Sequence, residues 1–220
     1  PAQIISVFNN LALPEPKNHF TVGIVDDVTF TSLPQVEEMP LGGKGTFEAK
    51  FYGLGADGTV GANKNSVKII GDHTDKYVQA YFDYDSKKSG GLTVSHLRFG
   101  DSKITSTYLI NKADFVACHK ASYIRKYDMV SDVKPGGVFL LNCPWTKAEE
   151  FEAHIPGQVK RYIAENDIQF YVIDGVAIGK EIGLGNRINT VLQSAFFKLA
   201  DIIPAADAIQ YMKDAATASY

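Results

Sequence analysis

Cysteine is nearly absent from this sequence: Cys118 and Cys143 are the two present, and neither stands in a CxxC or CxxxC run. That spacing excludes an iron–sulfur cluster or a zinc knot held by this stretch alone. Long apolar runs are also missing. No segment reaches the roughly 18 residues that cross a bilayer, and no cleavable signal pattern or Asn-x-Ser/Thr acceptor occurs, so a reducing, non-membrane setting is expected. Charge of one sign is lacking as well. A net charge of −3 and a pI near 6.0 give no general attraction to nucleic acid or to an anionic membrane, so any anion site must be local. The sequence begins at Pro1 without a methionine, consistent with an excerpt from a longer polypeptide.

What is present is a globular composition, 45% hydrophobic and 21% charged over 220 residues, sufficient for one full core. Residues 1–45 concentrate turn signals at Pro14, Pro16, Pro34, Pro40, Gly42 and Gly43, and are expected to form an extended arm or linker. Within it His19 to Val25 is β-branched and aromatic, and reads as one strand that needs a partner outside the arm. From residue 46 strands and helices alternate, each strand ending in Gly, Asp or Asn. The expected domain, 46–220, is a three-layer α/β/α fold around a mixed, mostly parallel sheet. Strands are predicted at 46–52, 77–83, 92–99, 115–119, 138–142 and 169–173, the second and third forming an antiparallel hairpin. Helices are predicted at 59–70, 121–131, 147–154, 158–166, 176–181, 188–200 and 205–218. In the 188–200 helix, Ile188, Val191, Leu192, Ala195, Phe196 and Leu199 make one apolar stripe, a core face.

Two loops suit an anion. Gly53-Leu54-Gly55-Ala56-Asp57-Gly58 is a G-x-G-x-x-G run between a strand and a helix. Glycines let the backbone approach a phosphate, and the first amides of the helix point at it. The competing reading is a tight turn in which Asp57 or Thr59 caps the helix, and Asp57 itself opposes an anion there. The second loop, Tyr84 to Gly91, offers Lys87, Lys88 and Ser89 with a glycine pair. If the first two strands are parallel neighbours, both loops share one edge of the sheet. Arg98 shares a strand face with His96 and is read either as an anion ligand or as an ion-paired structural residue. Asn142, at a strand end, is a candidate ligand contact. Cys118 and His119 are adjacent in a strand and so point to opposite faces, which argues against a dyad. Gly183 to Arg187 is a helix break. No nucleophile–base order, metal-ligand spacing or carboxylate pair points to a catalytic centre within these residues.

The runs FYGLGADGTVGANKNSVKIIG, YFDYDSKKSGGLTVSHLRFG, STYLINKADFVACH, PGGVFLLNCPW and GNRINTVLQSAFFKLA closely resemble the gamma-subunit-like domain of pyruvate:ferredoxin/flavodoxin oxidoreductases. HFTVGIVDDVTFTSLP resembles the segment leading into that domain in the single-chain enzymes. Ser89-Gly90-Gly91 after two lysines, where many separate gamma subunits carry Arg-Gly-Gly, favours the single-chain type. The resemblance implies an enzyme that decarboxylates pyruvate oxidatively, forms acetyl-CoA and passes electrons to ferredoxin or flavodoxin. Thiamine diphosphate, Mg and [4Fe-4S] clusters would then lie in other domains of a homodimeric parent, in the cytoplasm or in an anaerobic organelle of a eukaryote. The same resemblance implies that this domain covers the active site and binds coenzyme A through Gly53, Gly55, Ala56, Asp57, Gly58, Lys87, Lys88, Ser89, Arg98 and Asn142, without catalysing. Two alternatives stay open: an NADP-binding Rossmann-like domain, with Lys87 and Lys88 on a 2′-phosphate, and a purely structural interface.

Overall fold

A computed structural model describes residues 1–37, 39, 43–85, 90–107 and 109–218. The chain divides into two compact units, Pro1–Leu41 and Gly42–Tyr220.

The first unit opens with a helix where the sequence predicts none: α1, Ala2–Leu11. Its polar side chains hold the unit together. Ser6 Oγ donates to Pro34 O at 2.6 Å, Asn10 Nδ2 donates to Lys17 O at 3.0 Å, and Asn10 Oδ1 accepts from Lys17 N at 2.9 Å. The strand expected at His19 to Val25 does not form. His19 and Gly23 both take positive φ, 52° and 81°, which interrupts extended backbone and leaves a single bridge from Thr21 to Ser32.

In the second unit β1 (Thr46–Leu54) leads through a Gly-rich turn into α2 (Thr59–His73). The hairpin β2 (Tyr77–Tyr84) and β3 (Leu92–Gly100) follows, then β4 (Ala113–Cys118), β5 (Val133–Asn142), α3 (Ala148–His154), α4 (Gly157–Glu165), β6 (Gln169–Ile173), α5 (Gly175–Glu181), α6 (Asn189–Ala200) and α7 (Ala205–Ala218). The sheet order is β2-β3-β1-β4-β5-β6. β3 is antiparallel to both neighbours, while β1, β4, β5 and β6 are parallel in sequence. The mixed, mostly parallel sheet is therefore as the alternation predicts.

Strand alternation sorts the core into two layers. Ala49, Phe51, Leu97, Phe99, Phe115, Ala117 and Leu140 face α2, α6 and α7, and Phe196 sits among them, 5.1 Å from the Phe51 ring and 5.2 Å from Phe115. Phe196, Ala195 and Leu199 bring the α6 stripe into this layer. Tyr52, Val116, Cys118, Phe139 and Leu141 face the other side, under Tyr123, Ile124, Met129, Val130, Ile155 and Val159.

Two predicted boundaries move. The helix expected at 121–131 is instead two short 3-10 turns, Ala121–Arg125 and Val130–Asp132. Tyr123 with Ile124, and Met129 with Val130, are each buried against the sheet, and these two anchors leave the exposed stretch Lys126 to Asp128 between them. β5 also starts earlier than predicted. Its pairing with β4 jumps from Ala113↔Val133 to Phe115↔Val138, so Lys134 to Gly137 bulges out of the ladder, with Gly136 at φ 74° donating to Asn166 O.

Candidate functional site: the carboxyl edge of the sheet

The parallel strands and β2 all end on one edge, and the antiparallel β3 begins there. Gly55 N donates to Gly91 O at 2.8 Å, so the β1–α2 turn and the base of the β2–β3 hairpin are in direct contact. An ideal Cβ on Gly55 would lie 3.4 Å from that same oxygen, at the edge of ordinary van der Waals contact. Between the two loops lies a cavity of about 320 Å³, lined by Gly55, Ala56, Asp57, Gly58, Tyr84 and Asp85 among others. Lys87, Lys88 and Ser89 lie outside the described residues.

The turn's own geometry is set by Asp57. Its carboxylate accepts from Leu54 N at 2.7 Å and from Thr59 N at 2.8 Å, and its amide donates to Leu54 O. Asp57 thus precedes the helix N-cap, Gly58, and its carboxylate takes the first helical amide, that of Thr59. Gly53 serves packing, since a Cβ there would meet Thr59 Oγ1 at 2.6 Å. Ala56 and Gly58 take left-handed φ of 72° and 87°, and among the described residues their amides have no acceptor. A non-glycine residue at positive φ is a strained conformation of the kind that clusters at ligand-contacting turns.

A second cavity, about 590 Å³, adjoins the first across Leu54 and Asp57. It lies where the chain order reverses: from β1 the chain runs outward to β2 and β3, then returns to β4 on the other side. Crevices at such switch points are where open α/β sheets bind ligands. Its lining follows the strand ends: His119 and Lys120 after β4, Asn142 and Cys143 at β5, Asp174 after β6, with Lys180 from α5. Sequence reasoning did not bring His119, Lys120, Cys143, Asp174 and Lys180 together as the lining of one cavity. The signal for His119, Cys143 and Asp174 is positional, the residue following each of β4, β5 and β6, and it requires the strand order.

The side chains here are mostly committed. His119 is buried, its Nδ1 is 2.8 Å from Thr59 Oγ1, and burial pushes its pKa down to about 4, so the ring is neutral. Cys118 points into the opposite layer, as alternation requires. Its thiol donates to Lys120 O and burial pushes its pKa up to about 12, far from thiolate reactivity. Asn142 Nδ2 donates to His119 O and its Oδ1 accepts from Gly175 N, both at 2.9 Å, so it ties three strand ends together at the cavity wall. Gly183 to Arg187 is a turn between α5 and α6 with left-handed glycines at 183 and 185.

Arg98 is not at this edge. It stands seven residues along β3 from Gly91, roughly 24 Å at strand rise, 3% exposed, with Nε on Glu48 Oε1 and Nη1 on Gln79 Oε1, both at 2.9 Å. Lys134 reaches the same Glu48 at 3.2 Å. Of its two predicted roles the structure gives the ion-paired one, because the side chain lies on the buried face of β3 above β1. The dinucleotide reading also loses its geometry: β3 separates β1 from β2, so the end of β2 is displaced by one strand from where a dinucleotide fold places its ribose contact.

No group of three His, Cys, Asp or Glu side chains suited to a metal occurs among the described residues, and no described helix is long and apolar enough to cross a membrane.

The sequence profile of the pyruvate ferredoxin/flavodoxin oxidoreductase family matches residues 48–219. The whole chain is 57% identical to the pyruvate:ferredoxin oxidoreductase of Moorella thermoacetica, spanning 19% of that protein. By fold it is similar to a pyruvate oxidoreductase subunit of Thermotoga maritima, with a TM-score of 0.59 at 18% identity, covering 77% of this chain and 84% of that one. It is also similar to the 2-oxoglutarate:ferredoxin oxidoreductase of Magnetococcus marinus, solved with 2-oxoglutarate, coenzyme A and succinyl-CoA bound, with a TM-score of 0.59 at 17% identity over 81% of this chain and 28% of that one. Matched along its full length to a relative five times longer, the chain belongs to the pyruvate ferredoxin/flavodoxin oxidoreductase family.

Proposed function

We propose that this chain is the coenzyme A-contacting domain of a longer enzyme that oxidatively decarboxylates pyruvate to acetyl-CoA and delivers the electrons to ferredoxin or flavodoxin. The observation that carries the reading is the Gly55–Gly91 hydrogen bond, which joins the glycine turn to the root of the lysine-bearing hairpin. Coenzyme A presents a pyrophosphate and a 3′-phosphate. The Ala56 and Gly58 amides offer donors, and Lys87 and Lys88 supply the charge that the turn itself lacks. Asp57 shapes the turn, since its carboxylate already satisfies two amides and would repel an anion placed on them. Asn142 ties the ends of β4, β5 and β6 together at the wall of the neighbouring cavity. The Magnetococcus marinus enzyme, similar in fold over most of this chain, was solved with coenzyme A, which supports the assignment.

Thiamine diphosphate with its Mg, and the [4Fe-4S] clusters, fit other parts of such an enzyme. The two cysteines here are buried apart from any cluster spacing, and no carboxylate set for a metal is present among the described residues. The role proposed for this domain is to bind coenzyme A and to cover the active site. The test is the full-length enzyme carrying Lys87→Ala and Lys88→Ala. The KM for coenzyme A should rise about tenfold or more, as expected for losing charge-assisted phosphate contacts, while pyruvate decarboxylation in its absence is retained. An unchanged KM overturns the reading.

A further inference from the structure

Helix α1 is inside out. Its polar Ser6 and Asn10 are buried within the first unit, while Ile4, Phe8 and Leu11, which recur at i, i+4 and i+7 and so share a face, are 55%, 66% and 61% exposed. A second apolar surface stands on the loop that follows. Asp26 accepts from the amides of Val28, Thr29 and Thr31 and from both threonine hydroxyls, and this holds Val28 and Phe30 outward at 80% and 73% exposure. Soluble surfaces do not ordinarily leave so many large apolar side chains of one short segment uncovered.

We infer that Pro1–Leu41 is a docking arm whose α1 face and Val28–Phe30 loop seat against an apolar surface of another domain of the same polypeptide. Three observations select that occupant. The family profile starts at residue 48, whereas the Moorella thermoacetica relative matches from the first residue, so the arm travels with the long single-chain proteins, four fifths of which lie outside the matched span. Residues 1–14 carry no charged side chain, which fits an apolar protein surface and not an anionic membrane, where interfacial helices display Lys and Arg. The two surfaces together offer five large exposed apolar side chains, Ile4, Phe8, Leu11, Val28 and Phe30, against the roughly 20 to 30 residues a side of a stable free dimer. A covalent tether raises the effective concentration to about the millimolar range, so a patch of this size is sufficient within one chain.

Hydrogen–deuterium exchange of the full-length protein tests this. Ser6 and Asn10 already anchor α1 within its own unit, so the test reads the protection that the outer face adds to that packing. Docked, peptides covering Ala2–Leu11 should exchange about 100-fold slower in the wild type than in Phe8→Asp, while peptides from β4 and β5 stay unchanged, and equal exchange in the two overturns the proposal. Should Phe8→Asp unfold the protein, the wild-type exchange and the milder Phe8→Ala decide the question. Unprotected α1 amides in the wild type overturn the proposal. Protection that fades on dilution, or that appears only with anionic vesicles, assigns the face to a second copy or to lipid and overturns it equally.

Discussion

Replacing Arg98 by Met separates structure from ligand binding at this residue. Arg98 and Glu48 are 3% and 2% exposed, and the guanidinium holds Glu48 through Nε while Nη1 holds Gln79. In Arg98→Met, Glu48 keeps, among the described residues, only the Lys134 ammonium, itself shared with Asp114 at 3.0 Å. Breaking one side of a buried pair costs about 3 to 5 kcal/mol, because an undercompensated charge remains in the interior. Removing both, as Glu48→Met/Arg98→Met, exchanges the pair for apolar volume, and comes within about 1 to 2 kcal/mol of the wild type. Lys134 retains Asp114, and Gln79 retains its bond to Ser106 O. The assay is urea unfolding of the chain followed by two probes, with the slope compared across variants so that midpoint shifts report stability. A single variant costing less than about 1 kcal/mol, or a double variant more damaged than the single, refutes the buried-pair reasoning. In the full-length enzyme a folded double variant should keep its coenzyme A KM, since the residue is a strand's length from the glycine turn.

Acid should destabilise the chain above the carboxylate range. Burial, with the charges of Lys50 and Arg98, pushes His96 down to about 4, and burial does the same to His119. His96 Nδ1 accepts from Ile110 N, so protonation there also breaks a bond. Between pH 6.5 and 4 the unfolded chain binds protons that the folded chain refuses. Stability present above pH 6.5 is therefore lost as pH falls through that window, on the order of 3 kcal/mol for His96 and in the same direction for His119, and urea midpoints at pH 7 and 4.5 would show a flat profile if this is wrong. Asp57→Ala removes the acceptor of two turn amides and should cost about 2 kcal/mol in the same assay; a cost near zero would mean that the turn holds its shape without the carboxylate. Phe196→Ala empties the centre of the helix-covered layer and should cost about 3 to 5 kcal/mol, with an unchanged midpoint as the contrary result.

The strand–helix alternation, the hairpin and the α6 stripe were legible in the residues because each rests on a local period: apolar alternation for strands, a 3.6-residue repeat for the helix, glycines at the turns. That the Gly53–Gly58 turn and the hairpin share an edge follows from strand direction, but the first two strands are not the neighbours the sequence suggested: β3 lies between them, and Gly91 at its start is what meets Gly55. The 121–131 segment was not, since burial of two separate pairs, Tyr123–Ile124 and Met129–Val130, overrides a helical pattern there. The inverted polarity of α1 was hidden because Ser6 and Asn10 find their partners at Pro34 and Lys17, contacts that only the folded unit makes. Tertiary structure alone decided where Arg98 points and which residues line the switch-point cavity. Both depend on strand order, a long-range property set by which strands hydrogen-bond, and nothing in the spacing of residues along one chain records it.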